Sequence, residues 1–267
     1  MAAPGLAQQE TDLRAALAAQ PESPSLLYAL ALVERQENKP TESLKIYTQA
    51  ATFRKPTPQE LRSVALDYVL LNDYDDAIHW LEIAASIAPS DADILYALGR
   101  CYYSKSRFAD AEKMYEQVLS LQPKNLKAKE NLGLVYDATN RTQLAEMALR
   151  EAANWADPHG KDEWPFLDLG GFLLDHDRAN EALEPLRIAA NIQPGSAAAH
   201  EKLGRALLAT QDSKAGISEL QIAEKIDPRE PRIHYELGRA LRQAGDAEQA
   251  KKEFALSQQL YSSHSEE

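Results

Sequence analysis

A Leu-Gly pair recurs along the chain at an almost constant spacing. The glycines are separated by 34, 37, 34 and 34 residues and lie at Gly99, Gly133, Gly170, Gly204 and Gly238. Prolines recur in the same phase, at Pro89, Pro123, Pro194 and Pro228. Self-similarity of this kind predicts a stack of similar units, each too small to bury its own apolar face alone. Such a stack presents a long surface.

Each unit has the pattern of two amphipathic helices. If the unit from Ala92 to Asn125 is numbered from its first residue, apolar or small residues fall at positions 4, 7, 8 and 11 and again at 20, 24, 27 and 28. These offsets predict two helices whose apolar stripes face each other, with a small residue at position 8 meeting the alanine at position 20. Between them, position 15 is expected to form a tight turn with left-handed backbone. Its occupants are Asn38, Asn72, Ser106, Asn140, Asp177, Gln211 and Gly245.

Leu-Gly at positions 7 and 8, Tyr at 11, Ala at 20, an aromatic residue or Leu at 24, Ala at 27 and Pro at 32 resemble the tetratricopeptide repeat. The resemblance implies an all-α fold, a right-handed α-solenoid of antiparallel helix pairs. Seven repeats are predicted, at residues 24–57, 58–91, 92–125, 126–159, 163–196, 197–230 and 231–264. The first departs from the pattern at Ala31, Glu34 and Ser43, and we expect it to be loosely packed.

The chain ends carry further expectations. Residues 1–23 are predicted to be an N-terminal tail and a capping helix, and residues 265–267 a disordered tail. The stretch from Ala2 to Gln9 resembles the end of a bacterial signal peptide cleaved after Ala7, which favours a periplasmic or exported location over a cytoplasmic one; the alternative is a frayed helix start. In the last repeat, Lys251 and Gln258 replace apolar residues, which favours a finished end and a monomer.

Composition excludes several functional classes. The net charge of −12 argues against nucleic-acid binding, and the apolar runs are too short to span a bilayer. No catalytic motif is present, so we expect neither an enzyme nor a cofactor or metal site. Cys101 is expected to be a small buried residue. Asp175-His176-Asp177 resembles a metal motif but lies in a repeat turn, and His200 and His234 share position 4 without completing a zinc site.

In the family that this chain resembles, the first helices form the inner surface of the superhelix, mainly at positions 2, 5, 9, 12 and 13. Here those positions carry eight basic and five acidic residues, so the groove is relatively basic within an acidic chain. Tyr, Trp and Arg also dominate binding hot spots. The predicted groove residues are Tyr28, Arg62, Tyr96, Arg100, Tyr103, Trp164, Arg205, Arg232, Tyr235, Arg239 and Arg242.

The end of this groove is predicted to attract anions. Arg232, Tyr235, Arg239 and Arg242 are spaced to project from one face of a helix. Arg205 occupies the position of Arg239 one repeat earlier. Glu201 opposes this hypothesis, because it lies four residues before Arg205 on the same helix.

These features favour a non-enzymatic scaffold that binds an extended peptide or a partner helix in the concave groove. The expected partner is a protein or peptide, with an acidic segment as one possibility. The alternative is an assembly or regulatory subunit of a bacterial envelope complex that docks its partner on the convex face. Binding of chaperone tails is not implied, because the Lys and Asn of the family's carboxylate clamp are replaced by Tyr28 and Leu32 in the first repeat.

Overall fold

The structure, a computed structural model, describes residues 5–264. Within that range it consists of fifteen α-helices without any β-strand, as the repeat pattern predicts. The helices are α1 Leu6–Ala19, α2 Pro24–Gln36, α3 Pro40–Phe53, α4 Pro58–Leu70, α5 Tyr74–Ile87, α6 Ala92–Ser104, α7 Phe108–Leu121, α8 Leu126–Ala138, α9 Thr142–Trp155, α10 Trp164–Asp175, α11 Ala179–Ile192, α12 Ala197–Ala209, α13 Ser213–Ile226, α14 Pro231–Gln243 and α15 Ala247–His264.

Residues 1–4 and 265–267 lie outside the described part of the chain. The predicted C-terminal tail is therefore not described, nor is the start of the stretch that resembles a signal-peptide end. From Leu6 onward that stretch forms the first turns of α1. Of the helices in residues 5–264, none has both the length and the apolar character needed to cross a bilayer.

The chain divides into two compact units, Met1–Thr139 and Asn140–Glu267, here called the N-terminal and C-terminal units. The N-terminal unit contains α1 to α8, and the C-terminal unit contains α9 to α15. The division falls inside the predicted repeat 126–159. Within each unit, consecutive helices pack against each other along the chain.

First helices form a layer of their own in each unit. In the N-terminal unit α2 contacts α4, α4 contacts α6 and α6 contacts α8; in the C-terminal unit α10 contacts α12 and α12 contacts α14. In the described residues, second helices such as α3 and α5 make no comparable contact with each other. Side chains on the face of the first helices that is not packed against the second helices therefore share one continuous surface within a unit.

The turn predicted at position 15 is confirmed at every repeat. The residues there have positive φ angles between 57° and 90°, and they are Asn38, Asn72, Ser106, Asn140, Asp177, Gln211 and Gly245. This backbone region is costly for most side chains but accessible to glycine and asparagine. The left-handed residue reverses the chain within two or three residues, which lets the second helix of the pair return along the first.

The glycine at position 8 allows a close approach between paired helices. A Cβ atom added at Gly99 would lie 2.7 Å from the ring of Tyr115, and one added at Gly170 would lie 2.5 Å from Leu186. The partner side chain is therefore the large residue at position 24. The small residue at position 20 also meets the glycine in the sixth repeat, where the carbonyl oxygen of Gly216 lies 3.0 Å from a Cβ added at Gly204.

The expectation of loose packing in the first repeat is wrong. Ala31, Glu34 and Ser43 are all buried. Glu34 binds Arg14 of α1, and Ser43 lies within hydrogen-bond distance of Asp67. Polar partners from the neighbouring helices fill the space that apolar side chains occupy in the other repeats, so the packing is dense despite the altered residues.

Candidate binding surfaces on the first helices

A deep concave surface lies on the C-terminal unit. We call it the C-terminal groove; it encloses about 910 Å³. Most of it is formed by the first helices α10, α12 and α14. Its lining residues are Leu174, Asp177, Ala179, Asn180, Arg205, Leu208, Ala209, Glu236, Arg239, Ala240, Arg242 and Gln243. Three of the predicted arginines therefore line one groove.

Two of the predicted arginines are held by one buried carboxylate. Oε1 of Glu201 lies 3.5 Å from Nη1 of Arg205 and 3.3 Å from Nε of Arg232. Burial raises the pKa of Glu201, although both guanidinium groups act to lower it. Arg205 also lies 3.4 Å from Asp175. Arg205 and Arg232 are thus partly neutralised inside the protein.

The other two arginines project further into solvent. Nη1 of Arg239 lies 3.1 Å from Oε2 of Glu236, a groove residue outside the predicted set. Its spacing of three residues from Arg239 is the sequence signal that marks it as a partner. Arg242 lies over the ring of Phe254 at 5.3 Å, and it has no carboxylate partner within residues 5–264. Arg242 is therefore the groove cation with the most unused hydrogen-bonding capacity.

Tyr235 and Trp164, both predicted, are exposed on the C-terminal unit. Tyr235 has 47% of its surface exposed and packs its ring against Phe254, while Trp164 is 53% exposed. Neither lines the C-terminal groove. They are available for contact with a partner, but the structure does not bring them into the cluster of arginines.

A second, smaller concavity lies on the N-terminal unit. We call it the N-terminal pocket; it encloses about 220 Å³ between α4 and α6. Its lining residues are Arg62, Leu66, Val69, Tyr74, Asp93, Tyr96, Ala97, Arg100, Cys101 and Ser104. Three of the predicted groove residues, Arg62, Tyr96 and Arg100, therefore line this pocket together with aliphatic side chains.

Internal contacts fix the aromatic side of this pocket. The Tyr96 ring lies 5.9 Å from that of Tyr115, and the side-chain amide of Asn131 donates to the Tyr96 hydroxyl at 3.2 Å. Tyr103, which does not line the pocket, packs edge-on against Phe108 at 5.5 Å. Both tyrosines are half-buried, so each combines a structural contact with a surface contribution.

Tyr28 is the one predicted groove residue that lies in the core. It is only 5% exposed; its hydroxyl donates to the carbonyl oxygen of Arg54 at 2.8 Å, and its ring packs against Tyr47. The guanidinium of Arg54 covers the ring at 4.4 Å. Contact with a partner would require this cluster to open, so Tyr28 forms no part of either surface.

The residues considered as a nucleophile or as metal ligands make structural contacts. Cys101 is buried, and burial raises the pKa of its thiol to about 11, which keeps it protonated near neutral pH. In the Asp175-His176-Asp177 turn, Asp175 pairs with Arg205, whereas Nδ1 of His176 lies 2.8 Å from the carbonyl oxygen of Phe172. The side chains of the tripeptide therefore serve separate contacts.

His200 links two successive repeats. Its Nδ1 lies 2.7 Å from Oε2 of Glu219 on the paired helix, and its Nε2 lies 3.2 Å from the carbonyl oxygen of Pro194 in the preceding repeat. The ring therefore bridges the paired helix and the preceding repeat.

His234 repeats the arrangement one unit later, at 2.8 Å from Glu253 and 3.0 Å from the Pro228 carbonyl oxygen. Glu224 lies in the same cluster. Burial by itself lowers the pKa of His234, but the two hydrogen bonds and the charges of Glu253 and Glu224 outweigh it, so the pKa is raised. The imidazolium therefore stabilises the fold. This contribution is fully present below the pKa of an unfolded histidine and is lost as pH rises through the raised pKa of the folded state.

We expect His234→Gln to lower the free energy of unfolding by roughly 1 kcal/mol more at pH 5.5 than at pH 8.5, the size of a typical net hydrogen bond. The measurement is urea unfolding of both proteins at the two pH values. His79→Gln is the control, because His79 is exposed and its substitution should cost the same at both pH values. A loss from His234→Gln that does not depend on pH would show that the pKa of His234 is the same in the folded and unfolded states.

Comparison with known proteins identifies the repeat. One tetratricopeptide repeat model matches residues 92–125. A second matches residues 10–59, 172–231 and 202–264, which together exceed half of the chain. Human tetratricopeptide repeat protein 7B is 27% identical over 85 residues, which is 32% of this chain and 10% of that protein. The chain thus spans about a tenth of the length of this curated relative.

Solved structures share the fold at low sequence identity. A tetratricopeptide repeat protein from Parabacteroides merdae has a TM-score of 0.71 and 18% identity, covering 88% of this chain and 92% of that one. YrrB is described as a TPR protein with an unusual peptide-binding site. It has a TM-score of 0.54 and 18% identity, and the match covers 67% of this chain and 91% of the YrrB chain. At such identities these similarities establish the fold alone.

Proposed function

Because the chain belongs to the tetratricopeptide repeat family, whose members bind proteins or peptides, we propose that it is a non-enzymatic scaffold that holds a segment of a protein partner against its first helices. An acidic stretch of that segment occupies the C-terminal groove. The observation that carries the proposal is the set of three arginines lining a groove of about 910 Å³. Among them Arg242 lacks a carboxylate partner within the described residues.

Charge and geometry support an acidic occupant over a neutral one. A guanidinium group binds a carboxylate through paired hydrogen bonds that are stronger than neutral ones. Arg205 is partly neutralised by Glu201 and Asp175, which fixes its side chain without removing its remaining donors. Arg239 and Arg242 are more exposed and complete the basic side of the groove.

The test is fluorescence anisotropy with a labelled peptide of six glutamates flanked by glycine and serine. We expect Arg242→Glu to weaken binding about tenfold, equivalent to roughly 1.4 kcal/mol. Raising the ionic strength should weaken wild-type binding as well, because exposed charges are screened. The matched control is Lys252→Glu, which makes the same charge change at an exposed position on the second helix α15.

Equal affinity of wild type, Arg242→Glu and Lys252→Glu for the peptide would contradict the proposal. Arg205→Glu is a poor test, since it would place a second carboxylate next to the buried Glu201 and destabilise the fold. Thermal melts of each variant check that the fold is kept. Arg242 makes no ion pair in residues 5–264 whose loss would unfold the protein.

A second candidate function is docking of a partner on the second helices. Leu144 and Met147 lie three residues apart on α9 and are 43% and 67% exposed, so they form a small apolar patch. This observation supports the alternative in which the chain is an assembly or regulatory subunit. Loss of a partner on Met147→Glu but not on Arg242→Glu would favour it.

A further inference from the structure

The N-terminal pocket combines features that specify a ligand more narrowly than the C-terminal groove does. Its volume of about 220 Å³ is below the roughly 300–1,000 Å³ of sites for drug-sized molecules, and it is suited to a single side chain. Leu66, Val69 and Ala97 supply an aliphatic lining beside the Tyr96 ring. An apolar side chain placed here would be removed from water on several sides.

Two guanidinium groups line the same pocket. Nη1 of Arg62 lies 3.0 Å from Oδ2 of Asp93, which fixes the side chain in place. Its Nε is buried and has no acceptor within the described residues. The pair with Asp93 therefore holds a guanidinium group among the residues that line the pocket.

Arg100 has a different environment. Its side chain is exposed, and no carboxylate in residues 5–264 pairs with it. Next to an aliphatic lining, an unpaired guanidinium favours a ligand that carries an anionic group close to its apolar one. The pocket therefore offers an apolar cavity next to an exposed cation.

We propose that the N-terminal pocket anchors one large apolar side chain of a protein segment, of the class Leu, Ile, Met or Phe, with an Asp or Glu of that segment next to it bound by Arg100. This inference rests on the proposed scaffold function and specifies the sequence that the N-terminal unit recognises. The pocket is fixed beforehand by the Arg62–Asp93 pair and by the hydrogen bond from Asn131 to Tyr96, which limits the entropy lost on binding.

The experiment measures binding of labelled nine-residue peptides to the full chain by fluorescence anisotropy. Each peptide has a glycine and serine background, a central Leu or Phe, and a neighbouring Glu. Replacing the central residue by Ala, or the Glu by Lys, should weaken binding about tenfold or more, as for a hot-spot contact. Equal affinity of all these peptides would overturn the inference.

Protein variants locate the site. Arg100→Glu removes the cation, and Ser104→Trp fills the pocket from an exposed lining position; each should weaken binding about tenfold. Lys113→Glu is the matched control, because Lys113 is exposed on the second helix α7. Lys252→Glu, at an exposed position on α15 in the other unit, should leave the affinity for these peptides unchanged.

The outcomes separate this inference from the proposed function. If Arg100→Glu and Ser104→Trp bind the peptides as wild type does while Arg242→Glu weakens the glutamate peptide, the pocket inference is wrong and the scaffold proposal stands. If the pocket variants lose binding and Arg242→Glu loses nothing, the pocket is supported and the acidic groove is wrong. Retention of both peptides by all the variants would overturn both.

Discussion

Replacing Tyr115 by alanine is expected to lower the free energy of unfolding by about 3–5 kcal/mol, because the substitution leaves a large cavity in the core. Tyr115 is the largest side chain among the fully buried ones, and its ring packs against Tyr96 and against the backbone at Gly99. Gly99 has no side chain that could fill the cavity left by the ring. Urea unfolding followed by circular dichroism gives the measurement.

Tyr115→Phe is the matched control for this substitution. The Tyr115 hydroxyl lies 3.4 Å from Oδ1 of Asn131, a long contact, so its removal should cost less than about 1 kcal/mol. Similar losses from Tyr115→Ala and Tyr115→Phe would mean that the hydroxyl rather than the ring holds the repeat together. That result would contradict the packing described for the N-terminal unit.

Replacing Gly170 by alanine is expected to lower the free energy of unfolding by up to about 2 kcal/mol, because an overpacking cost of about 1–3 kcal/mol outweighs the helix-propensity gain. The added Cβ would lie 2.5 Å from Cγ of Leu186 and 2.6 Å from Cδ2, so α10 and α11 would have to move apart. This cost opposes the gain of roughly 1 kcal/mol that alanine normally brings inside a helix. Chemical denaturation of the full chain measures the balance.

The neighbouring residue provides the control for Gly170. A Cβ added at Gly171 would meet Nζ of Lys202 at 2.9 Å, the far end of a flexible side chain that can move away. Gly171→Ala should therefore be neutral or stabilising by up to about 1 kcal/mol. If Gly170→Ala is tolerated as well as Gly171→Ala, the close contact between the paired helices is absent.

Local backbone features could be predicted from the sequence because they depend on a few adjacent residues. The left-handed turns at Asn38, Asn72 and Gly245 follow from residue types that tolerate positive φ, at a fixed place between two apolar stripes. Contacts between helices were predicted less well. The sequence predicts that the position 8 glycine meets the small residue at position 20, and Gly204 and Gly216 do so. At Gly99 the nearest atoms instead belong to the ring of Tyr115, four residues further along the second helix than position 20.

The candidate sites could be predicted only in part, because ion pairs depend on how long side chains bend in three dimensions. Arg239 and Arg242 share one face of a helix, and Arg205 occupies the position of Arg239 one repeat earlier. The structure brings all three to the C-terminal groove. It also brings Glu236 there, from a position outside the expected groove set. Tyr28 fits the groove pattern equally well, but its hydroxyl reaches the Arg54 carbonyl and holds the ring in the core.

The contact between His200 and the carbonyl oxygen of Pro194 shows a further limit on what the sequence can predict. Two histidines at position 4 are visible in the sequence, and a glutamate nineteen residues later accompanies each, at Glu219 and Glu253. The second partner of each histidine is a main-chain oxygen of the preceding repeat, which has no signature in residue identity. Its role became evident only from the distances in the structure.

Photo-cross-linking from two positions of the C-terminal unit tests most directly whether partners bind on the first helices. Benzoylphenylalanine is placed either at Gln243, which lines the C-terminal groove, or at Lys252, which lies exposed on the second helix α15. We expect the labelled glutamate peptide to cross-link from position 243 and not from position 252, with a yield that falls as salt is added. Cross-linking from position 252 with none from position 243 would contradict binding at the first helices.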